Sequence, residues 1–483
     1  MTRPAFAVGC AAVAVLLSAV ACGTTKAAAP GAAAPGAATP AAAAPAASAP
    51  SAGARTATAS DSGTCPTRSA WATDVTSAGR VAWQVRLPTA AQQQGVVIAP
   101  LVIGGVAVFA EENAVYGIRV SDGHKLWRRA FSTAVAAESG AVYGLWQSGG
   151  QVVVLTGQVS ASARLTALTA STGAVGWTLR LPKSGLLGSQ AQASDGTLAV
   201  LLPNGSLESV ALSSGRVLWS HRVGQSLGPA AIGSVIAAGA DGRVTGYDGR
   251  TGRVLWTTRG MPEQTDVTAV GGVFLAADNS ETGGLAALNP RTGRVEWRFG
   301  SATLLGSAVL GAGPAGIAFA TYTPRRLYLV NPATGRTRWS VVTFAVSEGD
   351  NPGQFLETPA DVILAEGNVT PSADVFRLVV RAAADGRLLW SAPLAGGSDG
   401  SNLALLSPPG GRAIAYAFTP GTSVSASSRL TVRRLGTGRQ LASVTLPDMI
   451  MAPLTVTGTS VLAQSDSPAC AFPTNGTAVT PTR

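Results

Sequence analysis

The sequence predicts an all-β chain, a β-propeller of four-stranded blades. Three observations carry that expectation: a Gly-x-x-x-Trp marker that recurs along the chain, short β-branched runs broken by Gly and Asn turns between markers, and no stretch of sustained helical periodicity. The marker pairs are Gly79/Trp83, Gly123/Trp127, Gly173/Trp177, Gly215/Trp219, Gly252/Trp256, Gly293/Trp297, Gly335/Trp339 and Gly386/Trp390. A degraded ninth copy, "GTGRQLA", puts Ala442 at the Trp position. Successive copies lie 37 to 52 residues apart, and only Trp71 and Trp146 stand outside the set.

The N-terminus reads as an export signal. Residues 1–21 hold one early cation, Arg3, and then an apolar run from Ala5 to Ala21 that ends in small residues. The closing "SAVAC" resembles a bacterial lipobox, which implies that Cys22 is acylated and becomes the mature N-terminus; Ala19 stands where Leu is usual. The plainer alternative is a cleaved signal that happens to contain cysteine. Residues 22–62 are rich in Ala, Pro, Ser and Thr, with almost no large apolar side chains. Such a segment cannot bury enough surface to offset the entropy of ordering, so it is expected to be a disordered tether reaching about 100 Å when stretched. Of four cysteines, Cys10 falls in the signal and Cys22 in the lipobox-like motif, leaving Cys65 and Cys470. In an oxidising compartment these two are expected to form a disulfide that ties the ends of the folded region together.

Residues 63–475 are assigned to the propeller and 476–483 to a flexible tail. Between Trp256 and Trp297, "DVTAVGGVFLAAD" reads as two strands around Gly-Gly, "GLAALN" as a third and "RVEWRF" as a fourth. Four strands in some 40 residues, repeated, make a propeller blade. The marker Gly is expected in the turn between the third and fourth strands, where a positive φ carries no steric cost. The marker Trp, on the outer strand, is expected to wedge its ring between neighbouring blades and give its indole N–H to a carbonyl.

The pattern Ala-x-Asp-x-x-Thr-Gly-x-x-x-Trp resembles that of the PQQ-like repeat β-propellers. "GYDGRTGRVLW" and "ALNPRTGRVEW" match best, "ALTASTGAVGW" less well, over roughly residues 77 to 465. Eight periods are long enough for four strands each, and "RVAWQVRL" with the tail runs "PLTVTG" and "SVLAQS" is left over for a blade split between the chain ends. The family precedent implies eight blades, so one of the long periods, holding "SEGDNPGQFLETPAD" or "AGGSDGSNLALLSPPGG", is expected to be irregular.

The family's dehydrogenases hold a quinone against a pair of adjacent cysteines, and this chain has no such pair and no Cys-x-x-Cys-His haem motif. The family's repeat Asp remains as Asp248 alone, with Asn289 and Asn331 in the equivalent places. No cofactor, metal site or catalysis is therefore expected. His124 and His221 are read as surface positions of their blades, and "FAEEN" and "VSEGDNPGQ" as acidic loops. The net charge is +10, nearly all of it spread-out arginine, with no basic stripe of the kind a nucleic-acid binder presents.

One regularity remains. Seven repeats place Arg directly after the turn Gly: Arg80, Arg216, Arg253, Arg294, Arg336, Arg387 and Arg439. By propeller symmetry these form a spaced circle of cations, and Arg216, Arg253, Arg294, Arg336 and Arg387 are candidate contacts for an anionic polymer or an acidic partner. The bland alternative is an arginine whose stem covers the adjacent Trp while its head stays wet. The combined expectation is a monomeric, lipid-anchored scaffold at the outer face of the cell membrane, binding an envelope protein or cell-wall component. The alternative is an enzyme or a sensor of quinone or carbohydrate that uses the central funnel.

Overall fold

Turn chemistry divides the chain into its strands. Between Gly and Asn turns, runs such as Val106–Glu111 and Val235–Ala240 are buried at every position, as strands covered on both faces must be. Fourth strands such as Val254–Arg259 bury little beyond their Trp. The computed structural model describes residues 69–466 apart from 89–97, 112, 132–140, 158–161, 184–190, 203, 225, 227, 263–264, 279–283, 300–304, 324, 344–354, 370–373, 395–401, 409–410, 419–427, 447–448 and 451–453.

The described residues form nine antiparallel sheets. Blades 1 to 8 are four-stranded meanders over 101–130, 141–183, 191–222, 229–259, 265–299, 305–342, 355–394 and 402–446. Blade 9 joins the two ends of the described chain: Ser69–Thr76 pairs with Val81–Pro88 on one side and with Ser460–Asp466 on the other. Thr455–Thr457 and Met449–Ile450 complete it. First strands of neighbouring blades approach one another, as those of blades 3, 4 and 5 do, so they line the centre and the fourth strands form the circumference.

Nine apolar clusters sit one at each interface, and together they close the ring. Blades 1 and 2 share Val108, Val152 and Leu168, and blades 5 and 6 share Leu275, Trp297 and Phe319. Val75 and Val461 of blade 9 pack on Leu430 of blade 8, while Ala72 and Leu462 pack on Phe109 and Tyr116 of blade 1. No single central core exists; the chain buries its apolar surface in nine thin layers.

The expectation of eight blades is incorrect. The two long periods are not irregular: blades 7 and 8 are complete four-stranded sheets. The split blade then takes a ninth position of its own. Its third strand, "SAWATDVT", is not apparent in the repeat pattern, because its partner Ser460–Asp466 lies at the other end of the chain. The strands read between Trp256 and Trp297 are present as Thr265–Val270, Val273–Asp278, Leu285–Leu288 and Val295–Phe299. The signal, the tether, the tail, Cys22, Cys65 and Cys470 lie outside the described residues.

Candidate functional site

In an antiparallel meander the first–second and third–fourth turns share one edge of each blade. The third–fourth turns are alike in all nine blades. Each marker Gly, with Gly438 in the ninth copy, has φ between +65° and +73°. The carbonyl of the residue after it accepts a backbone N–H from the end of the third strand, as in Asp248 N to Arg253 O at 2.9 Å and Ala382 N to Arg387 O at 2.8 Å.

The same glycines are seats for tryptophan. Each marker Trp donates its indole N–H to a carbonyl of the following blade, at 2.6 to 3.2 Å. Trp83 donates to Val120 O at 2.7 Å and Trp177 to Leu212 O at 3.2 Å. Trp339 donates to Ala383 O at 2.9 Å and Trp390 to Leu435 O at 2.6 Å. Each ring covers the following blade's turn Gly so closely that a side chain there would collide. A Cβ on Gly293 would fall 2.4 Å from Trp256 Cε3, and one on Gly252 would fall 2.6 Å from Trp219 Cγ. Trp83 sits in the same way on Gly123, Trp177 on Gly215, Trp339 on Gly386 and Trp390 on Gly438. The glycine thus meets two demands, a positive φ and a missing Cβ.

The joints are less uniform than the repeat suggests. Trp83, Trp219, Trp256, Trp297 and Trp339 are buried, whereas Trp127, Trp177 and Trp390 are only half-buried. Between blades 8 and 9 the Trp position is Ala442, and a Cβ on Gly79 would lie 2.2 Å from its methyl carbon. With their N–H groups and one face taken up in this way, Trp83, Trp177, Trp339 and Trp390 belong to the joints of the ring and add no polar group to a binding surface.

These turns hold the arginines in equivalent places, but as an arc and not the circle expected from symmetry. Arg216, Arg253, Arg294, Arg336, Arg387, Arg439 and Arg80 belong to blades 3 through 9 in succession, while blades 1 and 2 carry His124 and Ala174. All seven arginines are exposed. Among the described residues only Arg387 has a carboxylate within 4.0 Å, that of Asp385. Among the described residues the one cation–π contact is Arg128 over Tyr116, so the arginine heads do not stack on the marker tryptophans. The turns of blades 4 and 5 add a second exposed arginine each, Arg250 and Arg291.

A further regularity on this edge is not apparent from the repeat alone. Eight large apolar side chains are exposed among the described residues, and five of them occupy one repeat position, two after the marker Gly: Val81, Val175, Val217, Val254 and Leu388. The alternation of the fourth strand would have hinted at this, since the position faces away from the third strand's packing.

The centre of the ring carries less chemistry. Among the described residues of the innermost strands the carboxylates are Asp266 on blade 5 and Glu357 on blade 7, and no group of three or more His, Cys, Asp or Glu could hold a metal. Burial raises the carboxyl of Asp266 from its ordinary value. Burial pushes Glu357 up to about 7, with the N–H groups of Gly316 and Ala315 and the charge of Arg338 acting in the opposite direction. Its oxygens are enclosed without a hydrogen bond of good geometry, and a Cβ on Gly313 of blade 6 would be 2.3 Å from Oε2. Glu357 is therefore wedged between blades.

Two other sequence readings change. Glu111 of "FAEEN" is buried between blades 1 and 9, where Gln464 Nε2 donates to its Oε2 at 2.7 Å. His124 is exposed, but His221 is half-buried, stacked on Tyr247 and tilted against Trp219, with Nε2 2.7 Å from Gly252 O.

A family model described as outer membrane protein assembly factor BamB matches residues 37–185, 161–298 and 281–479. The outer membrane protein assembly factor BamB of Yersinia pestis is 28% identical over 191 residues, 36% of this chain and 46% of that protein. The match thus spans about half of that relative's length. Among solved structures, a eukaryotic initiation factor matches over 82% of this chain and 98% of its own, with 12% identity and a TM-score of 0.53. BamB from Moraxella catarrhalis matches over 78% of this chain and 98% of its own, with 17% identity and a TM-score of 0.39. At 12% identity the first of these bears on fold alone, and the second, at a TM-score of 0.39, carries no argument.

Proposed function

We propose, from the premise that this chain belongs to the PQQ-like repeat family described as outer membrane protein assembly factor BamB, that it is a non-catalytic, protein-binding scaffold of the cell envelope. Its partner docks on the arginine-bearing edge and is acidic. The observation that carries this reading is the arc itself: seven exposed cations in equivalent turns, six of them with no carboxylate within 4.0 Å among the described residues. An opposite surface that covers these cations gains both affinity and encounter rate. The blades bury both faces in one another, so turns and connections are what this fold has left for recognition.

The export signal, acylation at Cys22 and the tether fit this reading by supplying a membrane anchor with reach. The enzyme or sensor alternative would place its chemistry on the innermost strands. There Asp266 and Glu357 stand on separate blades, and Glu357 is taken up by the interface with blade 6.

The test is crosslinking of intact envelopes, followed by capture of the full chain and identification of what is attached. Changing Arg216, Arg253, Arg294, Arg336 and Arg387 together to Glu is expected to abolish capture of the principal partner. Capture in the wild type should weaken steeply with added salt. Unchanged capture by the five-fold variant would reject the docking edge.

A further inference from the structure

The arc is not uniform, and its densest part has a second property. The turns of blades 3, 4 and 5 present Arg216, Arg250, Arg253, Arg291 and Arg294, five exposed cations in three adjacent turns, with no carboxylate within 4.0 Å of any of them among the described residues. Between them stand Val217 and Val254, 37% and 51% exposed. Among the described residues three acids share this part of the edge: the exposed Asp195 in the first–second turn of blade 3, Asp248 and Glu296. Hydrogen bonds from Thr251 hold the Asp248 carboxyl below its ordinary value, with the charge of Arg253 adding. Asp248 Oδ1 accepts the backbone N–H groups of Arg250 and Thr251 at 3.1 and 2.8 Å, and Glu296 Oε1 accepts Asn289 Nδ2 at 2.9 Å.

These turns are also tied across blades. His221 Nε2 lies 2.7 Å from Gly252 O, and Thr258 Oγ1 donates to Gly293 O at 2.5 Å. Both side chains sit two residues after the marker Trp, and both fasten the next blade's turn. Asn289 Oδ1 caps the blade 5 turn through the N–H groups of Arg291 and Thr292, at 2.9 and 3.2 Å. A surface fixed in this way loses little freedom on binding.

We propose that the turns of blades 3 to 5 are the docking patch, and that its occupant is an extended polypeptide segment in which carboxylates alternate with apolar side chains. The inference rests on the scaffold reading above and names its site and partner chemistry. Carboxylates suit the arginine forks, and apolar side chains cover the two valines. A polyanion without apolar groups would leave Val217 and Val254 in water. An anionic bilayer offers both kinds of group, but the described chain begins at Ser69 and stops at Asp466, both on the opposite edge of blade 9. The arginine edge is thus the one opposite the two ends of the described chain.

The experiment uses the full chain and a short fluorescent peptide of alternating Glu and Val, read by anisotropy at low salt. Binding should fall about tenfold or more in R250E/R253E/R291E and less than about twofold in R387E/R439E, which lies on the same arc. V217S/V254S should weaken the mixed peptide but not poly-Glu of equal charge. Thermal unfolding checks that each variant is folded, and the Arg→Gln set replaces any Glu variant that is not. Equal losses in the two arginine variants would overturn the patch while leaving the arc as the docking edge. Tighter binding of polyphosphate or of phosphatidylglycerol vesicles than of the peptide would overturn the polypeptide occupant. Loss of peptide binding in neither variant, with envelope capture still abolished by the five-fold change, would reject this inference and spare the scaffold reading.

Discussion

Glu357 shows how a single residue can escape its repeat. It lies on the innermost strand of blade 7, and its carboxylate is pressed against Gly313 of blade 6, where burial raises it to about 7 from an ordinary 4.5. With the folded-state value above the unfolded one, the ionised form is the disfavoured one in the fold. The stability tied to this group is therefore complete below about pH 4.5 and declines as pH rises through about 7, beyond which the loss is constant. Glu357→Gln should leave the unfolding midpoint unchanged at pH 4 and raise it at pH 8, by about 1–2 kcal/mol after allowance for partial solvent access. Calorimetry at the two pH values checks this, and a difference that does not vary with pH would refute it. In sequence Glu357 is one more acid in a polar loop, since its burial depends on a glycine in another blade.

At the scale of the blade, each interface is a layer of aliphatic side chains plus one tryptophan seated on one glycine. The exception is the contact of blade 8 with blade 9, where Ala442 faces Gly79. The degraded marker invites repair to Trp, yet the geometry argues against it. With Ala442 already against the Gly79 backbone, an indole would have to push the closing blade outward. Ala442→Trp is expected to lower stability by about 1–3 kcal/mol through overpacking, measured as the shift of the denaturant midpoint. A gain would mean that the interface can open to admit the ring. The other side of the closing blade is unusual too. Asp74, Glu111 and Gln464, the buried Asp, Glu and Gln residues among those described, all lie in blades 9 and 1. Burial raises the carboxyl of Asp74 from its ordinary value. The closing blade thus adds small and polar groups to joints that elsewhere rest on Trp and aliphatic layers.

At the scale of the molecule, the ring closes by pairing strands from the two ends of the described chain. Ala70 is opposite Asp466, which leaves Cys65 five residues before one paired position and Cys470 four residues after the other. Both cysteines lie outside the described residues, and the bridge expected between them remains a proposal. Peptide mapping without reductant should recover one linked peptide containing both, and separate alkylated peptides would refute the bridge.

Much of this architecture was legible beforehand, because it is local. The strands between Trp256 and Trp297, the positive φ at Gly252 and Gly293 and the outward Arg253 all follow from hairpin chemistry within about 40 residues. The strand Ser69–Thr76 was not legible, because it has no marker and its neighbour is at the far end of the chain. Nor were the ties from His221 and Thr258 to the next blade's turn, since each depends on which blade stands beside which. The sequence by itself determined the blade, its turn and the Gly–Trp contact that joins it to the next. Only the tertiary structure decided that nine such units close the ring, that Ala442 and not Trp fits the last joint, and that Glu357 is buried. Repeat chemistry acts between residues a few positions apart, whereas closure depends on packing summed over every interface around the ring.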